Sequence, residues 1–273
     1  MFINKINIIL SFIAAVLFSV FLPLTSPVQL WIPVLVFLVS YIALFILSWL
    51  VFGIISLTVS MKKEYTRISG FYNFIFNLGY GYLCELARLK IHVTGLEKLP
   101  EERYLLVSNH RSNYDNMVQS YVLRKKTRLS YISKSGNFKI PIGRRFMKRN
   151  CYLEIDRENP RRALGTFLKA AELIKSGEAS VGVFPEGHRN RDGRTGEFKS
   201  GCFLAASKAG CPVVVCSVTG TENITKNFPF RKTDVYFDVL EVIPAQTVKN
   251  TRTAALSDSA RQMIDRHIEG ADK

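Results

Sequence analysis

Charge is what the first part of this sequence lacks. From Met1 to Met61 the only charged side chain is Lys5, which excludes that stretch as the water-facing surface of a globular domain. Paired cysteines are also missing. Cys84, Cys151, Cys202, Cys211 and Cys216 form no C-x-x-C pair, and no histidine lies at ligand-like spacing from them. That argues against a zinc ribbon or a disulfide framework, and predicts neither a metal nor any other cofactor. An odd, unpatterned set of thiols suits small core residues in a reducing compartment. Internal repeats and low-complexity tracts are absent as well, so solenoids and disordered arrays are set aside.

What is present is basic. The chain has 273 residues and a formal charge of +15. Removing Lys5 leaves 15 − 1 = +14 beyond Met61, so a basic domain stands on an apolar stem. Basic surfaces favour nucleic acid, anionic lipid or phosphorylated substrates. The basic residues do not fall into a helix-turn-helix, a zinc finger or an aromatic stacking platform, so no nucleic-acid partner is expected. The apolar stem points to membrane lipid instead.

Ile6 to Leu24 is apolar apart from Asn7, Ser11 and Ser19, and Leu30 to Val59 carries no charge. The second run exceeds the roughly 20 apolar residues that cross a bilayer, and the first is marginal. The short connection Thr25-Ser26-Pro27-Val28-Gln29 predicts a membrane hairpin over residues 1–61, with Pro23 and Pro33 as bending points and Trp31 and Trp49 as interface anchors. A signal peptide is the rival for residues 1–24, but no small-x-small cleavage site precedes Pro27. Lys5 lies on one flank and Lys62, Lys63 and Arg67 on the other, with an uncharged loop between. The positive-inside rule then places both ends, and the basic domain, on the cytoplasmic side of a membrane.

Residues 62–89 are aromatic-rich, with Phe71, Tyr72, Phe74, Phe76, Tyr80 and Tyr82, and predict a helix that either lies at the interface or packs on the core. Residues 90–273 alternate short strands with helices. Ile91–Thr94, Tyr104–Val107, Leu129–Ile132, Cys151–Ile155, Val181–Phe184, Pro212–Val218 and Val235–Val242 read as strands. Asp115–Arg124, Gly201–Ala209 and Ser257–Ile268 read as helices. Arg161–Lys175 reads as an amphipathic helix with Leu164, Phe167, Leu168, Ala171 and Leu173 or Ile174 inward, closed by Gly177. The pattern predicts a layered α/β sheet with helices on it.

Two polar clusters follow apolar strands. In Asn109-His110-Arg111-Ser112-Asn113-Tyr114-Asp115, an imidazole able to exchange protons near neutrality is followed five positions later by a carboxylate. Five is a poor offset on a straight helix, so contact requires a turn leading into one. By spacing alone a structural role and a catalytic role both remain open. In Phe184-Pro185-Glu186-Gly187-His188-Arg189-Asn190, Gly187 permits close backbone approach and Arg189 offers a fork that suits phosphate. A surface turn is the plain alternative. Arg157 follows another strand in Ile155-Asp156-Arg157. Arg124-Lys125-Lys126 and Arg144-Arg145 suit either donor phosphates and an acidic carrier or a solvated surface.

These segments together resemble the glycerolipid acyltransferases of the lysophosphatidic acid acyltransferase type, whose signature is four ordered blocks. Asn109-His110 with Asp115 matches the first; Lys134, Pro141-Ile142-Gly143 and Ile155-Asp156-Arg157 match the second. Phe184 to Asn190 matches the third, and Cys211-Pro212-Val213-Val214-Val215 the fourth, all between about Lys90 and Val218. His188 and Asn190 stand where the third block usually has Thr and Ser, which leaves the acceptor head group open. Cys151-Tyr152-Leu153-Glu154 departs from the usual lead into the second.

The resemblance implies an enzyme that moves a fatty acyl group from acyl-CoA or acyl-carrier protein to the free hydroxyl of 1-acylglycerol 3-phosphate, giving phosphatidic acid. It implies His110 as general base, Asp115 as its orienting partner, and Arg157, Glu186, Gly187 and Arg189 as the holders of the acceptor, with no covalent enzyme intermediate and no metal. Another lysophospholipid or a lyso-aminolipid as acceptor is the nearby alternative. A membrane-tethered lipid-binding or nucleic-acid-binding protein without catalysis is the distant one.

Overall fold

The computed structural model describes residues 3–21, 26, 29, 31–190 and 195–271. Most of the connection Thr25–Gln29, with Pro23, lies outside these residues, as do positions 191–194 of the loop after the third block.

Two apolar helices open the chain, α1 (Ile3–Phe21) and α2 (Ile32–Leu57), both long and apolar enough to cross a membrane. They pack along each other, and their few polar groups meet inside the pair: the Tyr41 hydroxyl donates to Asn4 Oδ1 at 2.7 Å, and Asn7 Nδ2 to Ser48 Oγ at 3.2 Å. Their outward surfaces are rows of exposed Ile, Leu, Val and Phe, which water would not stabilise.

Helix α3 (Gly70–Leu86) carries the aromatic stretch, and its geometry separates the two readings of it. Phe76, Tyr80 and Cys84 are buried against the domain and Tyr82 against α1 and α2, whereas Phe71 and Phe74 stay exposed. The rest is an alternating α/β chain: β1 (Leu89–Thr94), β2 (Leu105–Ser108), α4 (Asp115–Leu123), β3 (Leu129–Lys134), α5 (Pro141–Arg149), β4 (Leu153–Ile155), α6 (Pro160–Lys175), β5 (Ser180–Val183), α7 (Leu204–Ala209), β6 (Val213–Thr219), α8 (Ile224–Asn227), β7 (Thr233–Ile243), α9 (Ala245–Asn250) and α10 (Thr253–Ala271). The strands form one sheet in the order β1-β7-β6-β2-β5-β3-β4, parallel throughout except where β6 meets β7.

Strands β2, β5 and β6 are buried on both faces, as continuous apolar runs in a covered parallel sheet should be. Alternate side chains feed two cores. Leu105, Val107, Val181, Val213 and Val215 meet α6, α7 and α10 on one face. Leu106, Tyr131, Val214, Cys216 and Phe237 meet α3, α5 and the base of α2 on the other. Gly182 in β5 is required there: a Cβ would lie 2.3 Å from the Tyr131 ring.

Helix α6 starts as its sequence dictates. The Asn159 side chain accepts from the Arg161 and Arg162 amides at 3.1 and 3.2 Å, Pro160 opens the first turn, and Gly177 adopts φ +72 just past the end. The inward stripe differs from expectation. Leu164 and Leu168 are 44% and 39% exposed, and the buried row is Thr166, Ala170, Ala171, Leu173 and Ile174. Small residues at 166 and 170 let the helix approach the sheet, which rotates the two leucines outward.

Pattern reading missed the short helices α8 and α9 and also α5, whose nine residues contain four cations. Its apolar face, Phe146 and Met147, is buried. Three of its four cations reach backbone carbonyls: Arg145 Nη1 donates to that of Val59 at 2.7 Å, Arg149 Nη1 to that of Arg67 at 2.6 Å, and Lys148 Nζ to that of Met61. The segment after α2 is thereby clamped onto the domain.

Candidate active site

The polar clusters sit where parallel α/β sheets place their sites, beyond the carboxyl ends of neighbouring strands. Asn109 and His110 follow β2, Phe184 to Asn190 follow β5, Arg157 follows β4, and Thr221 follows β6. Asn109 extends the sheet past the end of β2. Its amide donates to the Val218 carbonyl and accepts from the Val218 N–H, both at 2.8 Å, fixing where the next residue begins.

His110 is held on every side. Its N–H donates to Glu186 Oε1 at 2.7 Å, its carbonyl accepts from the Asn190 N–H at 2.8 Å, and its ring stacks on Phe184 at 4.2 Å between centroids. Phe184 in turn stacks on Tyr131. The turn after His110 closes the awkward five-residue offset. His110 Nδ1 lies 2.7 Å from Asp115 Oδ2, and the same oxygen accepts the Arg111 and Ser112 amides at 2.7 and 2.8 Å. Asp115 is 0% exposed and opens α4, where the helix dipole favours an anion. A carboxylate only accepts, so Nδ1 carries the proton and Nε2 is left with its lone pair.

Asp115 has a further partner that the sequence reading did not find. The buried Thr221 hydroxyl donates to Oδ1 at 2.5 Å. Thr221 follows Gly220, whose φ of +87 and close approach to the Asp234 carbonyl admit no side chain. A Thr-Gly-Thr at the end of an apolar strand was the available signal, but nothing in its spacing ties it to a residue over a hundred positions earlier.

Glu186 occupies a different place from the one assigned by resemblance. It is 1% exposed, and its oxygens accept from the His110 amide and, at 2.9 Å, from the Gly196 amide. Burial raises its carboxyl above the ordinary range, and these two amides only partly offset that. It is not on the cavity wall; it splices the third block to the backbone of the first. Gly187, at φ +72, turns the chain back toward Lys199.

A cavity of about 720 Å³ opens at His110. Its lining includes the cations Lys134, Arg157, Arg189 and Lys199, with Gly187 and His188. It also includes Phe52 and Trp49 of α2, Ile75, Phe76 and Leu83 of α3, and Ile142 and Phe146 of α5, an apolar wall. Burial lowers the Arg157 guanidinium from its ordinary value, though an arginine stays charged. Among the described residues, neither Arg157 nor Arg189 is in a salt bridge. Cations, an apolar wall and an oriented imidazole lining one cavity suit a molecule with an anionic head, a chain and an exchangeable proton. Among the described residues no cluster of His, Cys, Asp and Glu could hold a metal ion.

Comparison with known proteins bears on the same residues. The Acyltransferase family model matches residues 90–219, which contain all four blocks. A chloroplastic 1-acyl-sn-glycerol-3-phosphate acyltransferase of Brassica napus is 39% identical over 142 residues, 50% of this chain and 39% of that one. An enzyme of the same name from Haemophilus influenzae is 34% identical over 143 residues, 51% of this chain and 59% of its own. The Escherichia coli one is 27% identical over 197 residues, 71% and 79%. This chain therefore spans well under half the length of the plant relative. The crystal structure of a 1-acyl-sn-glycerophosphate acyltransferase from Thermotoga maritima shares the fold, with a TM-score of 0.65 over 98% of both chains at 18% identity. The four ordered blocks lie within the residues that the Acyltransferase model matches, and there the chain is similar to 1-acyl-sn-glycerol-3-phosphate acyltransferases of plants and bacteria.

Proposed function

We propose that this protein esterifies the free hydroxyl of 1-acylglycerol 3-phosphate with a fatty acyl group from acyl-CoA or acyl-carrier protein, making phosphatidic acid for phospholipid synthesis. The observation that carries this reading is the 2.7 Å contact of His110 Nδ1 with Asp115, with His110 lining a cavity that both cations and apolar side chains also line.

The chemistry follows from the atoms. Nε2 of His110 takes the proton of the acceptor hydroxyl as its oxygen attacks the thioester carbon. Asp115 stabilises the imidazolium that forms. Collapse of the tetrahedral intermediate breaks the carbon–sulfur bond, and the imidazolium proton goes to the leaving thiolate. An ester and a free thiol result, and no side chain is acylated. Arg157 and Arg189 receive the acceptor phosphate, with Lys134 and Lys199 adding charge. The trough along α2 and α3 takes acyl chain, which a hairpin seated in the membrane would deliver directly.

His188 lines the cavity beside Arg189 and favours a second reading in which the acceptor is another lysophospholipid or a lyso-aminolipid. Membranes containing the protein, supplied with lysophosphatidic acid or with another lysophospholipid or lyso-aminolipid, and with each donor in turn, separate the two. Phosphatidic acid from either donor supports the first reading; product only from other lysolipids supports the second.

A further inference from the structure

The turn after α8 presents two aromatic rings to solvent. Phe228 is 54% and Phe230 84% exposed, the latter the most exposed large apolar side chain described. Single exposed apolar residues are ordinary. These two are neighbours across one proline, and Ile224 to Lys232 adds Lys226, Arg231 and Lys232 with no acid.

The turn is held rather than loose. Arg88, just past α3, has a φ of +55 where glycine is usual. Its guanidinium donates to the carbonyls of Phe230 at 2.8 Å and Pro229 at 3.4 Å, and its own carbonyl accepts from the Thr233 amide at 3.3 Å. A strained arginine thus fixes the backbone of a turn whose rings stay exposed.

Its location gives the meaning. Helix α3 lies across the base of the apolar pair: Tyr72 OH meets Thr58 Oγ1, just past α2, at 2.6 Å, and Glu85 Oε2 accepts from the Asn4 amide, in the first turn of α1, at 3.3 Å. Arg88 is three residues beyond Glu85, about one helical turn. The aromatic turn therefore stands close to where α1 begins, the depth of the head-group layer if α1 and α2 lie in a bilayer. Aromatic rings among cations suit that layer when it carries anionic lipid.

We infer that Phe228 to Lys232 is a second membrane contact, inserting its rings among anionic head groups and fixing the tilt of the domain on its hairpin. The inference rests on the hairpin being in the membrane, and the test separates the two. All five native thiols are buried, and burial pushes those of Cys84, Cys202 and Cys211 up to about 12, so an introduced surface cysteine labels selectively. Phe230→Cys, Ile42→Cys on the exposed side of α2 and Lys169→Cys on α6 each receive an environment-sensitive dye. The full chain is reconstituted in phosphatidylcholine–phosphatidylglycerol vesicles with or without brominated acyl chains.

The expected result is several-fold quenching at 42 and 230, none at 169, and loss of quenching at 230 alone when Arg231→Glu and Lys232→Glu are added. Quenching at 42 with a water-exposed label at 230 overturns the inference and leaves the hairpin standing. So does a label at 230 that responds only to added acyl-carrier protein. No quenching at either 42 or 230 removes the membrane reading itself.

Discussion

The Thr221 hydroxyl stands 2.5 Å from Asp115 Oδ1, across the carboxylate from the oxygen that holds His110. With the amides of Arg111 and Ser112 already on Oδ2, this contact stops the carboxylate from turning away from the imidazole. A hydrogen bond to a charged group contributes about 1.5–3 kcal/mol. Thr221→Val should therefore lower kcat by roughly tenfold to a hundredfold while KM stays close to wild type. Thr221→Ser keeps the hydroxyl and should recover most of the rate. A serine variant as slow as the valine one would show that packing, not the hydroxyl, is what matters.

Arg189 lines the cavity with three other cations and is in no described salt bridge. Arg189→Ala should raise KM for the phosphorylated acceptor by about tenfold to a hundredfold, the value of a lost charge-assisted hydrogen bond or two. KM for the acyl donor should barely move. Steady-state kinetics with each substrate varied in turn distinguishes them, and equal effects on both would withdraw the phosphate from Arg189.

Glu186 gives a pH signature in stability. Burial raises its folded-state carboxyl above the ordinary range, so the folded chain holds that proton more tightly than the unfolded one. The stability it contributes is complete below the unfolded value, about 4.3, and is lost as pH rises through the raised folded value. Glu186→Gln cannot titrate, so its melting temperature should fall less steeply than wild type as pH rises across that window. Identical slopes in the two proteins would place the titration elsewhere.

Much of this architecture was legible. Alternating apolar runs announced the strands, and a stretch before Lys62 with Lys5 as its only charge set the first two helices apart. What escaped had local causes. Four cations hid the amphipathic helix α5, of which Arg145, Lys148 and Arg149 bind backbone carbonyls of residues 59–67. Small residues at 166 and 170 turned α6 so that Leu164 and Leu168 face out. In the site, a strand-end position was enough to nominate His110, Arg157 and Arg189, which share one cavity. It was not enough to separate a substrate contact from a splice between loops. Glu186 is such a splice, and Thr221 joins the dyad only through the pairing of β2 with β6.

The turn from Asn109 to Asp115 is the centre of the account, and removing its imidazole tests it most directly. Membranes carrying wild type or His110→Ala, with lysophosphatidic acid and the donor that wild type uses, should differ in phosphatidic acid formed by roughly a hundredfold to ten-thousandfold, the usual yield of a positioned general base. Circular dichroism of the two proteins should coincide, since the imidazole is partly exposed and its backbone contacts remain. Wild-type rates from the alanine variant would contradict the proton-transfer role of His110 and the mechanism built on it.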